Sequence, residues 1–259
     1  MGFGLIVVGD EIVSGKRQDR HFARVVEMLR GRGLSLAWAH FIGDDRAAIA
    51  ALLRRTFAGE DVVFCCGGIG ATPDDHTRQA AAAALGVELV LHPQAAELIA
   101  QRIAEMAAES GGSADLSLPE NRQRLKMGEF PVGAEILPNP FNRIPGFAVG
   151  RHFFVPGFPV MAWPMIESVL DSRFADRFHR DPRGERSFLV FGLAESTITP
   201  LMERIEHDYA DVRVFSLPSV GEDGGRRHIE LGVRGPAPAV DQAFDALRTG
   251  VQVLGGEIR

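Results

Sequence analysis

At 259 residues the chain is long enough for one large domain or two smaller ones, and its 46% apolar and 24% charged residues are those of an ordinary folded protein. A net charge of −6 with no long Lys/Arg block argues against a nucleic-acid partner. The two cysteines, Cys65 and Cys66, are neighbours, so no disulfide framework is expected; a short apolar N-terminus without basic residues predicts neither a leader nor a membrane span, and hence a cytoplasmic protein.

Residues 4–9 predict a first strand, which runs into the turn Gly9-Asp10-Glu11-Ile12-Val13-Ser14-Gly15-Lys16-Arg17-Gln18-Asp19-Arg20-His21. Phe22, Val25, Val26 and Leu29 fall at helical spacing and predict a helix over about 20–32, ended by Gly33. Leu36 to Phe41 is a second strand, followed by Ile42-Gly43-Asp44-Asp45 and a helix from about 45 to 58. Asp61 to Cys66 is continuously apolar after its first residue, the pattern of a strand covered on both faces of a parallel sheet. It breaks into Gly67-Gly68-Ile69-Gly70-Ala71-Thr72-Pro73-Asp74-Asp75-His76-Thr77, then an Ala-rich helix to Leu85 closed by Gly86. A further helix is expected over 93–109. Prolines punctuate 110–160, where Gly133 to Pro140 and Phe153 to Pro159 read as strand ends entering tight turns, and Met161 to Leu170 as a closing helix.

Strands alternating with helices predict a three-layer α/β domain with a doubly wound, mostly parallel sheet over 1–172. The charged segment 173–186 is the expected linker. From 187 the pattern restarts: a strand at 187–191, a helix at 195–208, strands near 211–217 and 227–234, and a helix at 238–254, a small α+β domain over 187–259.

The chemistry is expected at the carboxyl ends of the strands. Gly67, Gly68, Ile69 and Gly70 precede a helix, and glycines there let main-chain N–H groups approach phosphate while the helix start adds partial positive charge. Asp74 and Asp75 next to that cradle would repel a phosphate unless a divalent cation lay between them. Plainer roles stay open: Asp74 as a helix cap, Thr72 and Thr77 as turn or cap residues, His21 as a polar helix-start residue rather than a metal ligand, and Cys65-Cys66 as core. Asn139 either orients its loop or meets a ligand.

Gly9-Asp10-Glu11-Ile12, Gly43-Asp44-Asp45 and the run Gly67 to Thr77 resemble the N-terminal domain of the CinA (competence/damage-inducible) family, of the MogA/MoaB-type molybdopterin-binding superfamily. Asn121-Arg122, Gly133 to Pro140, Pro145-Gly146-Phe147 and Val155 to Pro159 resemble its later motifs, and the module from 187 resembles the small KH-like domain that follows it. The resemblance implies a small phosphorylated ligand, nucleotide or pterin, and metal-dependent hydrolysis of a nucleotide pyrophosphate such as ADP-ribose. Non-catalytic binding and molybdopterin adenylylation are the alternatives. In that reading Asp75 binds metal or orients water, with Asp74 and Asp10 as further catalytic candidates. Asp10 and Glu11 complete a magnesium-type oxygen shell with Asp75, and Asp44, Asp19, His21, Thr72 and Thr77 meet the ligand. Where the family has Asn-x-Asn this chain has Asp19-Arg20-His21. The chain stops near 259, so nicotinamide-nucleotide deamidation, the work of a C-terminal amidase domain in longer CinA proteins, is expected to be absent. Relatives of this kind are commonly oligomeric, which implies a dimer or trimer.

Overall fold

The computed structural model describes residues 1–180, 183–221 and 226–259. The chain divides into two compact units, Met1–Phe178 and His179–Arg259.

In the first unit, β1 (Phe3–Val8), a short helical turn α1 (Asp10–Val13), α2 (His21–Arg30), β2 (Leu36–Ile42), α3 (Arg46–Phe57) and β3 (Val62–Cys66) follow in order. After the glycine turn come α4 (Thr77–Leu85), β4 (Leu89–Leu91), α5 (Pro93–Ser110), α6 (Pro119–Leu125) and β5 (Glu129–Pro131). The unit ends with β6 (Glu135–Leu137), β7 (Gly146–Val149), β8 (His152–Val155) and α7 (Pro159–Arg173). One six-stranded sheet has the order β2-β1-β3-β8-β7-β6. The pairs β1–β2, β1–β3 and β3–β8 are parallel, whereas β7 runs antiparallel to both β8 and β6. This is the expected doubly wound sheet with an antiparallel edge. A separate antiparallel ribbon pairs β4 with β5, and no strand was expected at 89–91.

Both faces of the sheet are covered, which is why β1 and β3 are apolar at every position. Leu5, Val7, Phe64, Cys66, Phe153 and Val155 pack on α2 and α7 through Val25, Leu29, Met165 and Ile166. Their chain neighbours Ile6, Val8, Val63, Cys65 and Phe154 pack on α3, α4 and α5 through Ile49, Leu53, Ala81 and Ala95. Cys65 and Cys66 therefore belong to opposite cores, and burial pushes both thiols up, out of reactive range.

The expected linker is shorter than 173–186. Arg173 still belongs to α7, a single 3-10 turn covers Ala175–Arg177, and β9 begins at Arg183; Asp181 and Pro182 lie outside the described residues. The second unit contains β9 (Arg183–Phe191), α8 (Glu195–Asp208), β10 (Arg213–Ser219), β11 (His228–Pro236), α9 (Ala237–Val253) and β12 (Glu257–Ile258). Its sheet is antiparallel throughout the paired strands, ordered β10-β11-β9-β12. Val190, Leu231 and Val233 meet Ile198, Leu201, Phe244 and Leu247 in a core of its own. The short strand β12, absent from the sequence expectation, closes a β-α-β-β-α-β order.

No helix among the described residues is long and apolar enough to cross a membrane.

Candidate functional site

A cleft of about 740 Å³ opens in the first unit, where the carboxyl ends of the parallel strands carry their loops. Its floor is the turn between β3 and α4. Gly67 and Gly68 have φ of 105° and 67°, and neither has room for a side chain. A Cβ on Gly67 would lie 2.3 Å from the Val8 carbonyl oxygen, and one on Gly68 would lie 2.3 Å from Thr77 Oγ1. The Gly67 N–H is tied to the Val155 carbonyl at 3.0 Å, which joins the turn to β8. The next four main-chain N–H groups, those of Gly68, Ile69, Gly70 and Ala71, have no hydrogen-bond partner among the described residues. All four residues line the cleft. Unpaired main-chain donors are uncommon, and these four follow one another in the turn.

Thr77 supports this turn from beneath rather than from within the cleft. It is fully buried; its hydroxyl donates to the Gly67 carbonyl at 3.0 Å and its N–H to the Gly68 carbonyl at 2.9 Å. Thr72 and Asp75 close the far end of the turn: Asp75 Oδ2 accepts from the Thr72 N–H at 2.9 Å and from the Thr72 hydroxyl. A Cβ on Gly70 would collide with that carboxylate at 2.5 Å. Asp74 and Asp75 both line the cleft, and Asp74 caps nothing: residue 76 is the cap position of α4 and makes no side-chain cap. Hydrogen bonding with Thr72 and with its own N–H holds the Asp74 carboxyl below its usual range.

Two further carboxylates face this turn. Glu11 and Asp44 line the cleft, whereas Asp10 is a brace. The Asp10 N–H donates to Asp44 Oδ2 at 2.8 Å and the Asp44 N–H returns a bond to Asp10 Oδ1 at 3.1 Å, locking the loops after β1 and β2 together. Gly43 leaves room for this: a Cβ there would lie 2.3 Å from Asp10 Oδ1. Burial raises the Asp44 pKa, the Asp10 N–H opposes that rise, and the negative charges of Asp10, Glu11 and Asp74 add to it. Among the described residues, no three of His, Cys, Asp and Glu converge as a metal-ligand set.

Asp19 also serves locally. Its carboxylate accepts from the N–H groups of His21 and Phe22, both at 2.9 Å, and so starts α2. His21 lines the cleft but is only 4% exposed, with Nε2 2.9 Å from the Gly157 carbonyl. A carbonyl only accepts, so that nitrogen carries the proton and is closed to a metal.

The other wall comes from residues the sequence reading left without a role. Arg17, Gln18 and Arg20 of the first loop line the cleft, as do Asn142, Ile144, Phe158 and Met161. Arg17 has no side-chain partner among the described residues, and the Arg20 guanidinium lies 5.7 Å from the Trp163 ring centroid. Phe158 is 60% exposed at the rim. Asn139 organises its loop: its amide donates to Asn142 Oδ1 at 2.8 Å and the Ile144 carbonyl at 3.0 Å, and its oxygen accepts from the Phe141 N–H. Of the two roles the sequence left open for Asn139, these bonds show the orienting of its loop.

A family model described as a probable molybdopterin binding domain matches residues 4–176, nearly all of the first unit. A CinA-like protein of Anaeromyxobacter sp. is 31% identical over 249 residues, 89% of this chain and 58% of that one. A CinA-like protein of Syntrophotalea carbinolica is 32% identical over 217 residues, 80% of this chain and 50% of its own length. The chain thus spans about half the length of these curated relatives. Among solved structures, a CinA protein of unknown function from Thermoplasma acidophilum matches with a TM-score of 0.55 at 25% identity, covering 66% of this chain and 98% of that one. The chain belongs to the molybdopterin-binding-domain family, and the proteins it is similar to include CinA-like ones.

Proposed function

We propose that the cleft holds the phosphates of a nucleotide or pterin ligand on the turn Gly68 to Ala71, and that the protein hydrolyses a nucleotide pyrophosphate such as ADP-ribose with a divalent cation. The four unpartnered main-chain N–H groups carry this reading. They supply fixed donors for the oxygens of a transferring phosphoryl group, a reaction that needs positioning and charge stabilisation more than covalent help.

The donor set suits a hard cation shared with the ligand rather than an all-protein cage. Magnesium is commonly held by one or two carboxylates together with substrate phosphates and waters. Glu11, Asp44, Asp74 and Asp75 offer carboxylates on the cleft, whose mutual repulsion a cation would relieve. When bound, such an ion would neutralise phosphate charge. Asp75 is fixed through one oxygen by Thr72, so its orientation is set before ligand arrives, and it is the group that holds or orients the attacking water. Asp10 acts by holding the Asp44 loop in place.

Wild type and Asp75→Asn are to be incubated with a panel of nucleotide diphosphates, ADP-ribose included, with magnesium, manganese or cobalt, and AMP release followed. Metal-dependent turnover is expected, with a loss of at least about a hundredfold in kcat for the variant and an unchanged circular dichroism spectrum. Ligand binding without turnover would favour the non-catalytic reading, to which the departure at Asp19-Arg20-His21 points. Adenylylation of molybdopterin in the presence of ATP and magnesium would support the cofactor-biosynthesis reading, whose ligand the matched family's description names.

A further inference from the structure

Arg78, the second residue of α4, is 2% exposed and lies outside the cleft lining. Its guanidinium hydrogen bonds, among the described residues, only to main-chain carbonyls: Gly70 at 2.6 Å, Glu129 at 3.3 Å, and Lys126. Its Nε has no partner, and no carboxylate pairs with it within ion-pair distance among the described residues. The surface arginines Arg24, Arg32, Arg102, Arg143 and Arg186 all have such a partner. A buried, unpaired cation is costly to keep, and burial lowers its pKa while Glu129 and Asp75 only partly offset this from a distance.

Its position relative to the turn supplies a reason for that cost. The peptide unit is planar and trans, so a Gly70 carbonyl directed at Arg78 sends the Ala71 N–H the opposite way, and Ala71 lines the cleft. A hydrogen bond from a guanidinium to that carbonyl also polarises the amide and strengthens the N–H as a donor. In a low-dielectric site the charge itself acts across the turn on any anion held there.

We propose that Arg78 is a positioning residue and the fixed counter-charge of the cleft: it aims the Gly70–Ala71 amide at the ligand and makes the turn select phosphate-bearing ligands over uncharged ones. This rests on the phosphate reading of the turn.

The test uses the full chain and calorimetry with inorganic pyrophosphate, ADP and adenosine, comparing wild type with Arg78→Lys, Arg78→Gln and Arg78→Met. The neutral variants are expected to bind pyrophosphate and ADP about tenfold or more weakly, with adenosine affinity unchanged, while Arg78→Lys stays within about threefold of wild type. The Ala71 amide proton should move downfield on pyrophosphate addition in wild type and Arg78→Lys, and move less in the neutral variants, with Arg78→Gln carrying the comparison if Arg78→Met does not fold. Equal weakening toward ADP and adenosine, or no weakening in the neutral variants, would overturn the proposal and leave Arg78 a clamp between α4 and residues 126–129. Failure of wild type to bind either pyrophosphate or ADP would overturn the phosphate reading itself, and this inference with it.

Discussion

His152 stands on β8 beside Val63 of β3 and is 3% exposed. Its Nε2 is 2.9 Å from Thr56 Oγ1, and because the Thr56 hydroxyl donates to the Leu53 carbonyl, the imidazole is the donor of the pair. The Phe57 ring centroid lies 4.2 Å from that of His152, no carboxylate pairs with the imidazole among the described residues, and burial pushes it down to about 4. The folded protein thus binds fewer protons than the unfolded chain between that value and the ordinary histidine range. Stability is full above the unfolded pKa and is lost as pH falls toward the folded one. Urea unfolding at pH 7 and pH 5 should show a loss of about 2 kcal/mol that His152→Leu lacks. An identical pH dependence in the variant would assign that loss to other groups. At this scale the chain was unevenly legible. The alternation that sends Cys65 and Cys66 into opposite cores can be read from an apolar run, but His152 carries no motif, and Arg78 hides in an Ala-rich helix whose periodicity says nothing of the carbonyls it meets. Asp10, Asp19 and Thr77 each hold a loop or helix start, the plainer role that the sequence leaves open for Thr77 and that for Asp10 and Asp19 is set by side-chain direction rather than by residue type.

Among the elements, the β3-turn-α4 unit carries the site, and its glycines do different work. Gly68 needs both its positive φ and its missing side chain, because a Cβ would meet Thr77 Oγ1 at 2.3 Å. Gly86, at the C-terminus of α4, has φ of 69°, but a Cβ there would meet nothing within 4 Å. Gly68→Ala should therefore cost about 1–3 kcal/mol of stability and abolish pyrophosphate binding, since Thr77 must yield and the donor nest opens. Gly86→Ala should cost about 1 kcal/mol and leave binding unchanged. Chemical denaturation and calorimetry on the two variants check the pair; retained binding in Gly68→Ala would show that the turn is not the ligand's seat. The unit was legible because strand, glycine turn and helix are contiguous. Strands β4 and β5 were not: each has three residues, and they pair across a gap of about forty that no local pattern spans.

For the whole molecule, the two units have separate cores, and the family match at 4–176 ends where the first of them does. The restart of the strand pattern near 187 made that division legible, while the length of the connection was not, because charged residues occur both in the 3-10 turn after α7 and in the start of β9. Leu231 is fully buried at the centre of the second sheet, paired with Phe188 across β9 and with Ser216 across β10. Leu231→Ala removes packing there without touching any residue of the cleft. A loss of about 2–5 kcal/mol is expected from the second unit alone. Native-state hydrogen exchange should then speed up across 183–219 and 228–259, with β1 and β3 as protected as before and pyrophosphate affinity unchanged. Faster exchange in β1 and β3 would mean that the two units unfold as one cooperative body, and the second unit would then contribute to the stability of the site it does not line.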